Sequence, residues 1–376
     1  MKKILIINQS VNYLTENIAS TFVESLEYEE VVLMAGNPHD IGQTINPKVK
    51  IVSMSPYIRS SFKTRLVSWI KGTWDIVRAV RKSYKGYELF LVSNPPTVAF
   101  ATMFFNNRYS TLIYDVYPNG LTDAGFISKS NPIYKIWAKR NKYFYKRADR
   151  VFTITEGMRR TISDYCSYEK IEVVELWGNP NLPVFNIPKK ENRFILENGL
   201  KGKFIVMYSG NIGKGHDLDV LVDVAEHLKK YKDIVFLFVG EGFLKPLIAK
   251  KVEEKGLENV KMLPYQDMEM LPYSLSCSDI AVVSTNKQSG KVCIPSKTFD
   301  LIKLGKPILC VAEPDSDIAQ FVAKQQVGES FSREQIVEMV DFITTMYNNP
   351  EKLLSYEAAS IKASNSYTSA MAKGFL

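Results

Sequence analysis

Three short segments in the second half of the chain bring glycines, lysines and one acid to spacings at which a phosphate could be held. In the first, an apolar run from Phe204 to Tyr208 enters Ser209-Gly210-Asn211-Ile212-Gly213-Lys214-Gly215. A helix is expected to follow from Asp217, which can cap it. Glycines let backbone N–H groups approach an anion closely, and a helix N-terminus adds favourable potential. The order G-x-x-G-x-G, followed by His216 and Asp217, excludes a Walker A loop and the G-x-G-x-x-G dinucleotide fingerprint. A plain strand-to-helix turn is the competing reading.

The second segment is Phe238-Val239-Gly240-Glu241-Gly242, with Leu244-Lys245 after it. Lys245 falls in the first turn of the expected helix, where a cation is unfavourable unless an anion is near. A solvated lysine is the alternative. The third runs from Val292-Cys293-Ile294-Pro295-Ser296-Lys297 through Asp300 to Gly305-Lys306-Pro307. Pro295 suits the first position of a helix, leaving Ser296 and Lys297 to present backbone N–H groups. Asp300, one turn on, points to the same mouth. Its carboxylate could accept two hydrogen bonds from a ribose diol, or could merely complement the helix dipole.

In order, GNIGKGHDLDVLVDVA, FVGEG, LPYQD and PSKTFDLIKLGKPIL are similar to the nucleotide-sugar domain of glycosyltransferase family 4. The closest resemblance is to its subgroup from bacterial capsule and O-antigen clusters. In the first half, IYDVYPNGLTDAGF and RADRVFTITEGM also resemble that subgroup. The resemblance covers nearly the full chain and is weakest over residues 9–85. It implies an α/β, GT-B fold: two Rossmann-like, doubly wound domains facing a central cleft. It further implies a nucleotide-sugar donor (a UDP-sugar is favoured), no metal or other cofactor, and retention of anomeric configuration, the leaving phosphate drawing off the acceptor proton.

By the same resemblance, Asp300 holds the ribose, and Pro295, Ser296 and Lys297 line the diphosphate. Gly210 and Gly213 lie under the pyrophosphate and transferred sugar. Glu241 joins the donor site, Lys245 neutralises the β-phosphate, and Pro264 and Tyr265 edge the base. The sequence departs from the family at Val292, where the first acid of an E-x7-E motif would stand. Asn211 and Lys214 replace the usual Arg and Lys, and the family's active-site histidine of the first domain has no counterpart; Asp115 is the nearest candidate for its role. A non-catalytic nucleotide-sugar-binding subunit, or a sugar-nucleotide epimerase on the same fold, are the alternatives.

The elements that must position these residues alternate along both halves. Strands are expected at 3–8, 30–34, 49–53, 88–92, 111–115, 150–154 and 171–174, then at 204–208, 234–239, 259–263, 279–283 and 307–311. Helices fill the intervals, and continuous apolar strands argue for parallel sheets covered on both faces. Residues 1–180 form the expected acceptor-binding domain, and 181–203, rich in Pro, Asn and Gly, the linker. Residues 204–349 form the nucleotide-sugar domain, and 350–376 a helical segment packing back on the first.

The net charge of +8 is uneven. Residues 1–180 hold 24 Lys/Arg against 16 Asp/Glu, and the rest are balanced, so the first half is expected to meet an anionic partner. Residues 57–87 carry Arg59, Lys63, Arg65, Lys71 and further cations interleaved with Trp69 and Trp74, and 129–150 repeat the pattern around Trp137. Basic helices with aromatics suit an anionic bilayer, at roughly 1 kcal/mol per cation; a core of aromatics under a solvated face is the plainer reading. No nucleic-acid motif occurs. No stretch reaches about 18 apolar residues, and no signal peptide is apparent. The expected location is cytoplasmic, peripheral at the inner membrane face, with a lipid-linked glycan as acceptor. Four dispersed cysteines and three histidines make no metal pattern.

Overall fold

The computed structural model describes residues 2–376 except 43–44, 59, 124, 185–186 and 288–289; Arg59 of the basic stretch thus lies outside the described residues. The chain folds as two units, Met1–Asn181 with Ser369–Leu376, and Leu182–Thr368.

The first unit is built on seven parallel strands: β1 (Lys2–Asn8), β2 (Tyr28–Ala35), β3 (Lys50–Ser53), β4 (Glu88–Val92), β5 (Tyr109–Ile113), β6 (Val151–Thr153) and β7 (Ile171–Val173). Their order is β3-β2-β1-β4-β5-β6-β7. Ile4 pairs with Val31 on one side and Glu88 on the other, so the winding reverses at β1. Leu5, Ile6 and Ile7 are fully buried, as a central strand covered on both faces requires. The longest helix, Phe62–Ser83, starts in a capping box between Ser61 and Thr64.

In the second unit, β8 (Phe204–Ser209), β9 (Ile234–Val239), β10 (Val260–Leu263), β11 (Ile280–Ser284), β12 (Ile308–Val311) and β13 (Gly328–Phe331) are parallel in the order β10-β9-β8-β11-β12-β13. Strand β13 escapes the sequence reading because Gly328-Glu329-Ser330-Phe331 has no apolar run. It forms by pairing with β12, where a Cβ on Gly328 would stand 1.8 Å from the Ile308 carbonyl oxygen.

Two segments differ from expectation. Residues 181–203 are not all linker: Arg193–Glu197 is helical, with Asn192 Oδ1 accepting from the Ile195 N–H at 3.2 Å. Lys189 is held to Asp279 at 2.5 Å, so this stretch is anchored to the second unit. At the C-terminus, the Pro350–Ser364 helix stays with the second unit, where Ser360 Oγ donates to the Lys306 carbonyl at 2.9 Å. Ser369–Phe375 belongs to the first, with the Phe375 ring 5.2 Å from Phe152 and 5.9 Å from Phe90. Among the described residues no helix is long and apolar enough to cross a membrane.

Candidate functional site

Strand order places the mouth of the second unit beyond β8 and β11, where the winding reverses. The turns after β8 and β9 continue the strand pairing. Gly210 N–H donates to Val239 O, Ile212 N–H to Glu241 O and Leu244 N–H to Ile212 O, each at 2.9 Å. Contact is so close that a Cβ on Gly240 (φ +147°) would stand 1.9 Å from Gly210 O, and one on Gly242 (φ +156°) 2.4 Å from Ile212 O. The immediate demand for these glycines is therefore backbone against backbone, with Gly210 itself at φ +137°. Gly213 makes room for the Asn211 side chain, 2.6 Å from where its Cβ would be.

Across the reversal, the β8 turn is tied to the end of β11. Asn286 N–H donates to Gly215 O at 2.9 Å, and the Asp217 N–H to Ser284 Oγ at 3.1 Å. His216 Nδ1 lies 2.5 Å from the Ser284 carbonyl, which can only accept, so Nδ1 carries the proton. Burial pulls the His216 pKa down, and the Lys297 charge adds to this, leaving a neutral ring. Asp217 does not cap a helix, contrary to expectation. Arg333 takes it at 3.1 Å together with Asp219 at 2.8 Å, and the helix begins only at Val220. An arginine more than a hundred residues away outbids the local cap.

Lys297 closes this mouth from below. The helix Lys297–Lys303 has Ser296 at its N-cap, so Pro295 precedes the helix and does not occupy its first position. Lys297 Nζ donates to Ser209 O at 3.1 Å and sits 3.5 Å from the centroid of the Tyr208 ring. It would be 3.4 Å from a Cβ on Gly210, so the glycine also leaves space for the ammonium. Among the described residues no carboxylate forms an ion pair with it, and burial lowers its pKa to about 7. Asp300 lies in the first turn of the same helix, half-buried, near enough for its charge to act on Lys303. The hydroxyls of Thr285 and Thr298, both buried, have no hydrogen-bond partner.

Lys245 opens the helix Lys245–Glu254, and the anion that makes a cation acceptable there is Glu241, at 2.6 Å. The Tyr265 hydroxyl reaches Glu241 O at 3.4 Å, beside the exposed Pro264. Lys214 lies over the Phe243 ring at 4.1 Å. Sequence reasoning missed three parts of this arrangement: Tyr208 as a platform, the His216–Ser284 tie and the Glu241–Lys245 pair. Only the last had a local signal, an acid four residues before a lysine. Among the described residues, no group of three or more His, Cys, Asp or Glu side chains converges as metal ligands would.

In the first unit, Asp115 is exposed just beyond β5, its N–H directed at Ser93 Oγ at 3.4 Å. The expected membrane-facing set divides. Lys71 and Trp74 are exposed and Arg65 is half-buried, but Trp69 and Trp137 are only 1% and 6% exposed, so they face the interior. Helical spacing leaves open which aromatics a helix turns inward; contact with Tyr117, 5.3 Å from Trp69 and 5.9 Å from Trp137, decides it.

Residues 189–363 match the family model for glycosyl transferases group 1. The chain is 24% identical over 222 residues to the glycosyltransferase named WbjE of Pseudomonas aeruginosa, a match covering 59% of this chain and 55% of that protein. It is 29% identical over 118 residues to WcaI of Escherichia coli K12, named for colanic acid biosynthesis, covering 31% of this chain and 29% of that one. The chain thus spans about half or less of the curated relatives it matches. Among solved structures, Anabaena HepE in complex with UDP superposes with a TM-score of 0.72 at 11% identity, over 100% of this chain and 98% of that one. WaaG, a glycosyltransferase of lipopolysaccharide biosynthesis, does so with 0.66 at 11%, over 99% and 98%. The chain has the GT-B fold of these glycosyltransferases, and its residues 189–363 are similar to the glycosyl transferases group 1 domain.

Proposed function

We propose that the chain transfers a sugar from a nucleotide-sugar donor, a UDP-sugar in the first place, to a lipid-linked glycan in bacterial surface polysaccharide assembly. The observation that carries this reading is Lys297: an ammonium without a carboxylate partner among the described residues, set against the glycine turn at the mouth of a group 1 domain. A diphosphate placed on that turn would supply the missing counter-charge. Asp300, one turn along, grips the ribose, and Asn211, Lys214, Pro264 and Tyr265 border the nucleoside and sugar.

In the reaction the anomeric carbon–oxygen bond to the β-phosphate breaks as the acceptor hydroxyl forms its bond on the same face, with retention. The hydroxyl proton passes to the leaving phosphate, or to Asp115 where that carboxylate comes within reach. Negative charge grows on the phosphate, and fixed donors there stabilise the transition state. Lys245 adds to this by exchanging Glu241 for the phosphate, and no metal is invoked.

Asp300→Ala is expected to lower kcat/KM by roughly 10- to 100-fold, the value of a charge-assisted hydrogen bond. The assay is radiolabelled transfer from UDP-sugars to a lipid-diphosphate sugar, run with and without EDTA. Unchanged kinetics in the variant, or EDTA inhibition relieved by Mg²⁺ or Mn²⁺, would overturn the respective assignment. Donor binding without turnover would favour a non-catalytic subunit, a reading that Val292 in place of the family's first acid also suggests.

The first unit supplies the acceptor side at the inner membrane surface. Its support is the face carrying Phe62, Leu66, Ile70 and Trp74, all exposed on one helix among Lys63 and Lys71. Cosedimentation with phosphatidylglycerol vesicles at low salt tests this, and failure to bind removes the membrane from the reading.

A further inference from the structure

Beneath that helix lies a small aromatic cluster separate from the donor site. Tyr57 stacks on Trp69 at 6.5 Å, Trp69 meets the edge of Tyr117 at 5.3 Å, and Tyr117 stacks on Trp137 at 5.9 Å. Both tryptophans are more than nine-tenths buried, yet neither indole N–H has a hydrogen-bond acceptor. The buried Nε of Arg65, one turn before Trp69, has none either. A buried donor left unmade is costly, and tryptophans in cores ordinarily find a partner. Three such donors in one cluster are not explained by packing. Tyr57 and Tyr117 are half-buried, so the cluster is open on one side. The charges of Arg65 and Asp115 both act on the Tyr117 hydroxyl.

In Arg65, Trp69 and Trp137 the unsatisfied groups are all N–H donors, one of them on a guanidinium; the buried acceptor Gln9 Oε1, also without a partner, lies against Gly72 of the same helix. A sugar hydroxyl, which must itself donate, fits such a set poorly; a phosphoryl oxygen, which only accepts, fits it well. Next to the cluster the same helix exposes its apolar residues, with Phe62 stacked on Phe126 at 4.8 Å and the Trp74 ring tilted against Phe104 at 5.7 Å.

We propose that Arg65, Trp69 and Trp137 form a subsite for the phosphate of an amphiphilic acceptor, whose hydrocarbon chain lies along the Phe62–Trp74 face. This rests on the acceptor assigned above and adds where it is read and by what chemistry. Asp115, at the rim, is left to meet the hydroxyl-bearing part, because a carboxylate repels the phosphate.

The test is calorimetric titration of the full chain with dodecyl phosphate and with dodecyl maltoside, both below their micellar concentrations. Dodecyl phosphate is expected to bind about tenfold more tightly. Arg65→Gln and Trp69→Phe, which remove donors and keep bulk, should each erase most of that preference; Trp74→Ser should weaken both ligands alike. Thermal melting and near-ultraviolet circular dichroism of each variant report on the folding of the first unit, and UDP titration on the second. Equal affinity for the two amphiphiles, or an unaltered preference in both Arg65→Gln and Trp69→Phe, would sink the subsite. So would loss of phosphatidylglycerol-vesicle binding in Arg65→Gln with dodecyl phosphate binding intact, since the donors would then serve the bilayer. Absence of UDP binding in the unmodified chain would instead count against the transferase reading and leave this result standing.

Discussion

Replacing Lys297 by methionine is expected to weaken UDP binding by roughly 10- to 100-fold and to remove its pH dependence. The methionine keeps the length and apolar stem while deleting the charge that faces the glycine turn. In the unmodified protein burial has drawn the Lys297 pKa to about 7, because the Ser209 carbonyl and the Tyr208 ring do not replace the hydration lost. Only the ammonium can pair with a diphosphate, and the diphosphate raises its pKa in return. UDP affinity should therefore be flat in this group below pH 7. Above pH 7 it should fall, approaching a factor of about ten per unit until the pKa of the bound state is reached.

The other groups facing Lys297 do not reverse this sign. His216 is held neutral, its pKa pulled down by burial, and the Tyr208 phenol is pushed up. Cys293 acts only to raise the lysine's pKa. Asp300 lies one turn along the same helix, where its charge acts on Lys303. For the empty protein the linkage runs the opposite way to a salt-bridged lysine. Between about pH 7 and 10.5 the unfolded chain binds the extra proton at this residue, so its contribution to stability grows as pH rises. Titration calorimetry at pH 6 to 9, in buffers of different ionisation enthalpy, measures both affinity and proton uptake. A flat profile in the unmodified protein would mean that Lys297 does not meet the donor.

The second large effect is on stability. Gly240→Ala should cost ~3 kcal/mol or more and lower Tm by several degrees. An added Cβ would meet the Gly210 carbonyl oxygen at 1.9 Å from a backbone at φ +147°, and that oxygen cannot retreat without parting the β8 and β9 turns. Gly199→Ala is the control: its φ is +65° but nothing lies within 4 Å of the new carbon, so it should cost only about 1 kcal/mol. Equal Tm shifts would show that the two turns yield and that the contact does not hold the mouth in shape.

Much of the scaffold was readable from local pattern. Runs such as Ile4–Ile7 and Phe204–Tyr208 are apolar on both faces, and only a sheet covered on both sides accommodates them. The Phe62–Ser83 helix announces itself through Ser61 and a long amphipathic stretch. Gly210, Gly240 and Gly242 mark turns because no other residue takes their backbone conformations without strain.

What the residue string alone determined, then, is two parallel α/β units and the chain positions where their strands open into glycine turns, since those follow from hydrophobic runs and backbone sterics within a few residues. Tertiary structure decided everything that depends on a distant partner. Lys297 was legible as a backbone amide at a helix start; that its ammonium reaches Ser209, 88 residues earlier in the chain, is settled by how the helix packs against β8. Asp217 went to Arg333, Trp69 and Trp137 turned inward onto Tyr117, and β13 formed from a polar tetrapeptide because β12 offered an open edge. A side chain's direction is the outcome of competition among all the surfaces it can reach, and spacing along the chain names only the nearest of them.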